Sequence, residues 1–288
     1  MNLLYLYIFL LLLVIIIAGL LTTIKYKTNI PKKIFTFWDT EELPQIIKKC
    51  INTWRHHNPT YEIIILNTNN LDKYITDGSK LLSLKRSSDS TARLSDFIRL
   101  HAIAEHGGVW MDASIICYSS LDDLFYDNSK YYKTMDYFGY YIPNFTTNYK
   151  YPIIESWFFA APNNSVFLKL WRDEFMKCNN YNNISDYIQN IRDSGIDLQN
   201  LSSPEYLAIH ASAQVVLQTV YDSKKYKQIL LDANAGPYKY LSDNDWDIEK
   251  ATHALCNDFK LHKSIVKLRG SDRKIIEKNN LEQCLFYK

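Results

Sequence analysis

The stretch from Ser95 to Cys117, S-D-F-I-R-L-H-A-I-A-E-H-G-G-V-W-M-D-A-S-I-I-C, constrains this chain more than any other. Leu94, Phe97, Ile98 and Ala102 recur at the three-and-four spacing of a buried helical face. Gly107 and Gly108 then supply positions that tolerate positive φ and so end a helix at little cost. Val109 to Cys117 is β-branched, aromatic and apolar, which predicts an interior strand.

Asp112 falls in the middle of that run. Side chains alternate along a strand, so Asp112 and Ser114 are expected on one face and Met111 and Ala113 on the other. An ionised carboxylate in apolar surroundings is costly unless it is paired or bound to a metal. Two readings follow: a strand-end Asp that caps a loop or meets a buried Arg, or a metal ligand at the carboxyl end of a central strand, where open α/β sheets place their ligands. Asp96 and Arg99, three residues apart, share one face of the preceding helix. As an exposed ion pair they would contribute less than ~1 kcal/mol, but the helix around them is apolar enough to be largely buried.

S-D-F-I-R-L followed by G-G-V-W-M-D-A-S resembles glycosyltransferases of the GT-A fold, and the capsular polysaccharide synthesis family in particular. The resemblance covers residues 31 to 268. It implies a transferase that moves a sugar, from a UDP-hexose above all, to a glycan, polysaccharide or other hydroxyl acceptor, with retention of configuration. Asp96 and Arg99 match the residues that hold the donor, and Asp112 matches the first acidic residue of a D-x-D motif, beside Mn²⁺ or Mg²⁺. The second acidic residue is replaced by Ser114, a weaker ligand for a hard cation. Resemblance places Ser156 and Trp157 on the acceptor side and brings His262 and Lys263 toward the diphosphate or the metal. Trp38, just past the first expected strand, suits either a core position or a stack on the nucleotide base. The alternative reading is a catalytically weak or inactive membrane-anchored scaffold, its activity lost with the second carboxylate.

In chain order, residues 1–30 read as an anchor and short linker, and residues 31–288 as one GT-A-like domain. Leu3 to Leu21 is nineteen residues without a charge, long enough to cross a bilayer, and no small-residue cleavage site marks it as a secretory signal. Lys25, Lys27, Lys32 and Lys33 all follow the span, so the positive-inside rule puts the catalytic part in the cytosol. The usual arrangement of N-terminally anchored Golgi glycosyltransferases argues for the lumen. Strands at 34–39, 61–66 and 109–117 alternate with helices at 44–57 and 94–106, the order of a mainly parallel central sheet flanked by helices. Glu155 and Asp136 fall near the acceptor edge, where a surface placement suits both at least as well as a role in the pocket, and His210 reads as a satisfied core histidine rather than a ligand. A net charge of +2 without a basic stripe argues against a nucleic-acid surface, and the five cysteines show no zinc spacing.

Overall fold

The computed structural model describes residues 7–8, 10–14, 29–84, 91–128 and 133–286. Its strands are β1 (Lys33–Phe37), β2 (Glu62–Leu66), β3 (Gly108–Met111), β4 (Ile115–Cys117), β5 (Tyr137–Tyr141), β6 (Ile154–Ala161), β7 (Gln228–Asp232) and β8 (Ile265–Lys267). The helices that shape the site are α1 (Gln45–His57), α2 (Thr91–His106), α3 (Val166–Met176), α4 (Ala208–Thr219) and α5 (Gly270–Lys278). Six strands form a central sheet in the order β2-β1-β3-β6-β5-β7, while β4 and β8 form a small sheet of their own.

Alternation along the strands divides the interior into two layers. Ile34, Val109, Met111, Phe158 and Ala160 meet Ile46, Ile47, Cys50, Ile51 and Trp54 of α1 on one side. Phe35, Trp110, Phe159 and Ala161 meet Phe97, Ile98 and Ile103 of α2 and Trp171 of α3 on the other. Strands β3 and β6 are buried on both faces, which is why β3 and residues 157–161 of β6 read as apolar runs.

The central sheet is mixed, not mainly parallel as the sequence led us to expect. β1 pairs in parallel with β2 and β3, and β5 with β7, but β6 runs antiparallel to both its neighbours. Helical crossovers explain the parallel half. Residues 142–153 join β5 to β6 without a helix, so the chain doubles back there, which produces an antiparallel pair.

The expected strand 109–117 is likewise two strands. The ladder between β3 and β6 ends at Met111–Phe158. Asp112 then donates its N–H to the Trp157 carbonyl at 2.9 Å, and its own carbonyl accepts from Ile115 N–H at 3.0 Å, closing a turn. β4 continues in the second sheet, held to α1 by a hydrogen bond from Trp54 Nε1 to the Ile115 carbonyl at 2.6 Å. Apolarity announced burial; it did not distinguish one sheet from two.

The expected membrane anchor also needs correction. Among the described residues no helix is long and apolar enough to cross a membrane, so a single-pass anchor over Leu3–Leu21 and a membrane location have no support. Of that stretch only residues 7–8 and 10–14 are described, and they are helical; the rest lies outside the described residues.

Gly107 and Gly108 set the approach of α2 to β3, with φ of 64° and 97°. A Cβ at Gly108 would lie 2.6 Å from the Lys33 carbonyl oxygen, and one at Gly107 2.4 Å from Asn163 N. Gly108→Ala therefore combines an unfavourable φ with a backbone clash, and we expect it to lower stability by more than ~1 kcal/mol. Chemical denaturation of the variant beside the wild type checks this; an unchanged midpoint would show that the junction relaxes freely.

Candidate active site

Helix α2 carries Asp96 and Arg99 one turn apart, and β3 ends directly beside them at Asp112. Arg99 Nη1 lies 3.3 Å from Asp96 Oδ1 and Nη2 3.5 Å from Asp112 Oδ1. The same guanidinium donates to the Ser156 carbonyl at 2.9 Å, to Ser156 Oγ at 2.7 Å and to Ser95 Oγ at 3.1 Å. It also lies 5.4 Å over the Trp110 ring. Planar geometry suits this role, since a guanidinium presents five donors in a fixed fork.

Asp112 accepts from Trp110 Nε1 at 3.1 Å on one oxygen and from Lys267 Nζ at 2.9 Å on the other. Lys267 also donates to Ser114 Oγ at 2.9 Å, and Ser114 in turn donates to the Leu268 carbonyl at 2.7 Å. Asp96, Arg99, Asp112, Lys267 and Ser114 thus form one polar chain across three elements, with Asp96, Arg99, Ser114 and Lys267 all buried. Burial pushes the Asp96 carboxyl above its ordinary range, against the pull of Arg99 and Arg93. Burial acts in the same sense on Asp112, but Lys267 and Arg99 outweigh it and hold that carboxyl below the ordinary range.

Two cavities flank this chain. The larger, about 640 Å³, is lined by Asp96, Arg99, Asp112, Ser156, Trp157 and Arg269 among others. The smaller, about 320 Å³, is lined by Trp38, Asp39, Ser114, Lys267 and Arg273, and shares Arg99 and Asp112 with the first. Arg273 stands 5.7 Å over the Trp38 ring, so Trp38 is a half-buried wall of the smaller cavity. In the larger one, buried Glu155 and His210 approach to 3.7 Å, and His210 Nδ1 has no hydrogen-bond partner.

The structure therefore gathers Asp96, Arg99, Asp112, Ser114, Trp38, Ser156 and Trp157 around one double cavity. It does not bring His262 there. That ring stacks on Tyr118 at 4.2 Å, and its Nε2 lies 2.7 Å from the Leu255 carbonyl, in a different cavity beside His56 and His57. Lys263 lines neither cavity beside Asp112. The basic residues of this segment that do reach the site are Lys267 and Arg269, which sequence reasoning passed over. The signal was present: Lys267 interrupts the apolar run I-V-K-L as Asp112 interrupts its own. Glu155 is buried, not at the surface, and so is Asp136, whose carboxylate caps α3 by accepting from Val166 and Phe167 N–H at 2.8 and 3.0 Å.

The donor set at Asp112 does not fit the Mn²⁺ or Mg²⁺ expected there. Beside a nucleotide such ions are held by one or two protein carboxylates together with phosphate and water oxygens, so the Asp112 carboxylate would have to be free to face the ion. Here one carboxylate already accepts from Trp110 and Lys267, and the Ser114 hydroxyl is engaged on both sides. No group of three or more His, Cys, Asp or Glu suited to a metal occurs among the described residues. An ammonium about 4 Å from a divalent ion would oppose it by roughly 8 kcal/mol at an effective dielectric of 20.

Comparison with known proteins gives the setting. A curated relative, Subversion of eukaryotic traffic protein A of Legionella pneumophila, is 27% identical over 124 residues, 35% of this chain. The chain spans about a fifth of that protein's length, 19%. Among solved structures, the PaToxG glycosyltransferase overlaps 90% of this chain and 86% of its own at 15% identity and a TM-score of 0.40. The ligand-free glycosyltransferase domain of the YGT toxin overlaps 86% and 89% at 12% identity and a TM-score of 0.43. Overlaps this loose assign no residue roles. The family comparison reaches much further, with the capsular polysaccharide synthesis protein family matching residues 20–279. With that match over most of its length, the chain belongs to the capsular polysaccharide synthesis protein family.

Proposed function

We propose that residues 31–288 transfer a hexose from a nucleoside-diphosphate donor, a UDP-sugar by preference, to a hydroxyl of a glycan or polysaccharide, with retention of configuration. The observation that supports this most is the buried Asp96–Arg99–Asp112 network standing between two cavities. Asp96 accepts hydrogen bonds from donor hydroxyls and fixes the sugar's position. Arg99 supports the diphosphate oxygens through charge-assisted bonds. Trp38 stacks on the base in the smaller cavity. Acceptor and sugar share the larger one beside Ser156 and Trp157, where Glu155 and His210 offer further partners to hydroxyls. Preference for UDP and retention of configuration rest on the resemblance of the S-D-F-I-R-L and D-A-S segments.

Base stacking offers a direct check. Stacking on an aromatic ring contributes ~1–3 kcal/mol, so Trp38→Ala should weaken UDP binding by roughly tenfold or more in calorimetric titration. Equal affinity for variant and wild type would remove Trp38 from the donor site. Failure of the wild type to bind any nucleoside diphosphate would remove the reading as a whole.

A further inference from the structure

The place expected for a divalent cation is held by a side chain. β8 pairs antiparallel with β4, and the register Ile115–Lys267 sets Lys267 beside the turn that carries Asp112 and Ser114. Its Nζ lies 2.9 Å from Asp112 Oδ2 and 2.9 Å from Ser114 Oγ, and the residue is only 8% exposed. The backbone on either side is fixed as well. Lys267 N–H donates to the Pro237 carbonyl at 3.2 Å, and the Tyr240 hydroxyl donates to the Lys267 carbonyl at 3.0 Å. This lysine is not a surface chain that has folded inward; it extends from a buried strand.

We propose that the Lys267 ammonium is the resident cation of this site, that it receives the donor's diphosphate, and that transfer proceeds without a divalent metal. The inference rests on the glycosyltransferase reading above. An ammonium has three donors; two are directed to Asp112 and Ser114, and the third remains for a phosphate oxygen. Asp112 and Ser114 hold the side chain as metal ligands would hold an ion, one by a carboxylate oxygen and the other by a hydroxyl. Lys267 lines the smaller cavity together with Arg99 and Arg273, and Arg273 Nε has no hydrogen-bond partner. Three basic side chains therefore surround the space where the diphosphate of a nucleotide bound against Trp38 would lie.

The chemistry needs no other cation. The bond from the anomeric carbon to the diphosphate oxygen breaks, and its electron pair stays on that oxygen. The acceptor oxygen bonds to the anomeric carbon, and its proton passes to the departing diphosphate. Charge accumulates on the phosphate oxygen in the transition state, where a preorganised ammonium in a water-poor site stabilises it.

Calorimetric titration of Mn²⁺ into the full chain tests the cation position without requiring turnover. We expect no binding to wild type at ~1 mM, and UDP affinity that changes by less than about twofold when Mn²⁺ replaces EDTA. Lys267→Glu would set a second carboxylate beside Asp112 and is expected to acquire Mn²⁺ binding that an added Asp112→Asn abolishes. Lys267→Met should reduce turnover by on the order of 100-fold, with Lys267→Arg recovering part of the loss because it restores the charge. Micromolar Mn²⁺ binding by wild type that Asp112→Asn removes, or UDP binding strengthened more than about tenfold by Mn²⁺, overturns the inference and leaves the glycosyltransferase reading standing. Absence of nucleotide binding under every condition defeats that reading, and the diphosphate role of Lys267 with it. Because the titrations use the wild-type protein, a variant that fails to fold does not decide the matter.

Discussion

Arg99→Lys is expected to lower turnover of a nucleotide-sugar by on the order of 100-fold while leaving a folded protein. The substitution keeps the charge and most of the length. It loses the fork, and with it the simultaneous contacts to Ser95, Ser156, Asp96 and Asp112. A lysine Nζ reaches one or two of these groups, so Asp96 and Asp112 would no longer be held in a fixed relation. Hydrogen bonds to charged groups contribute ~1.5–3 kcal/mol each, so the melting temperature should also fall, by less than a truncation to Ala would cause. Initial rates and thermal melts on the same preparation separate the two effects. Wild-type rates in Arg99→Lys would mean that the guanidinium only braces α2 against β6.

Asp112→Asn is expected to have a similar or greater effect. It nearly preserves shape but removes the one charge that Lys267 faces at 2.9 Å. Breaking one side of a buried ion pair costs ~3–5 kcal/mol where the pair is fully buried. Asp112 is a quarter exposed at its side chain, so the lower end of that range applies. Lys267 would then lose the carboxylate that positions its Nζ in the site. Initial rates and thermal melts on the same preparation provide a check that a purely structural role would not satisfy. Turnover should fall by far more than the loss of stability accounts for; a fall in rate only in step with the melting temperature would mean a structural role.

Much of this was legible in the sequence because it was local. Spacing within one helix put Asp96 beside Arg99, the double glycine fixed the junction, and an apolar run marked β3 as an interior strand. What escaped was set by pairing between distant segments. Whether β6 runs with or against β3 depends on residues 142–153 containing no helix, and no apolar pattern within β6 reports that. The partner of Asp112 lies 155 residues away on β8, brought in by a three-residue strand too short to announce itself. His262 illustrates the same limit: a ring five residues before Lys267 faces another cavity altogether. His210 is buried as its apolar neighbours implied, but its place with Glu155 on a cavity wall was not legible, because no local pattern reports a cavity.

The most direct test is release of nucleoside diphosphate from a panel of nucleotide-sugars by the full chain, with Mn²⁺ or with EDTA, beside Asp112→Asn. The account predicts release from at least one UDP-sugar, at rates that EDTA leaves within about twofold and that Asp112→Asn reduces by on the order of 100-fold. Release from no donor, or release that Asp112→Asn leaves at the wild-type rate, would contradict it.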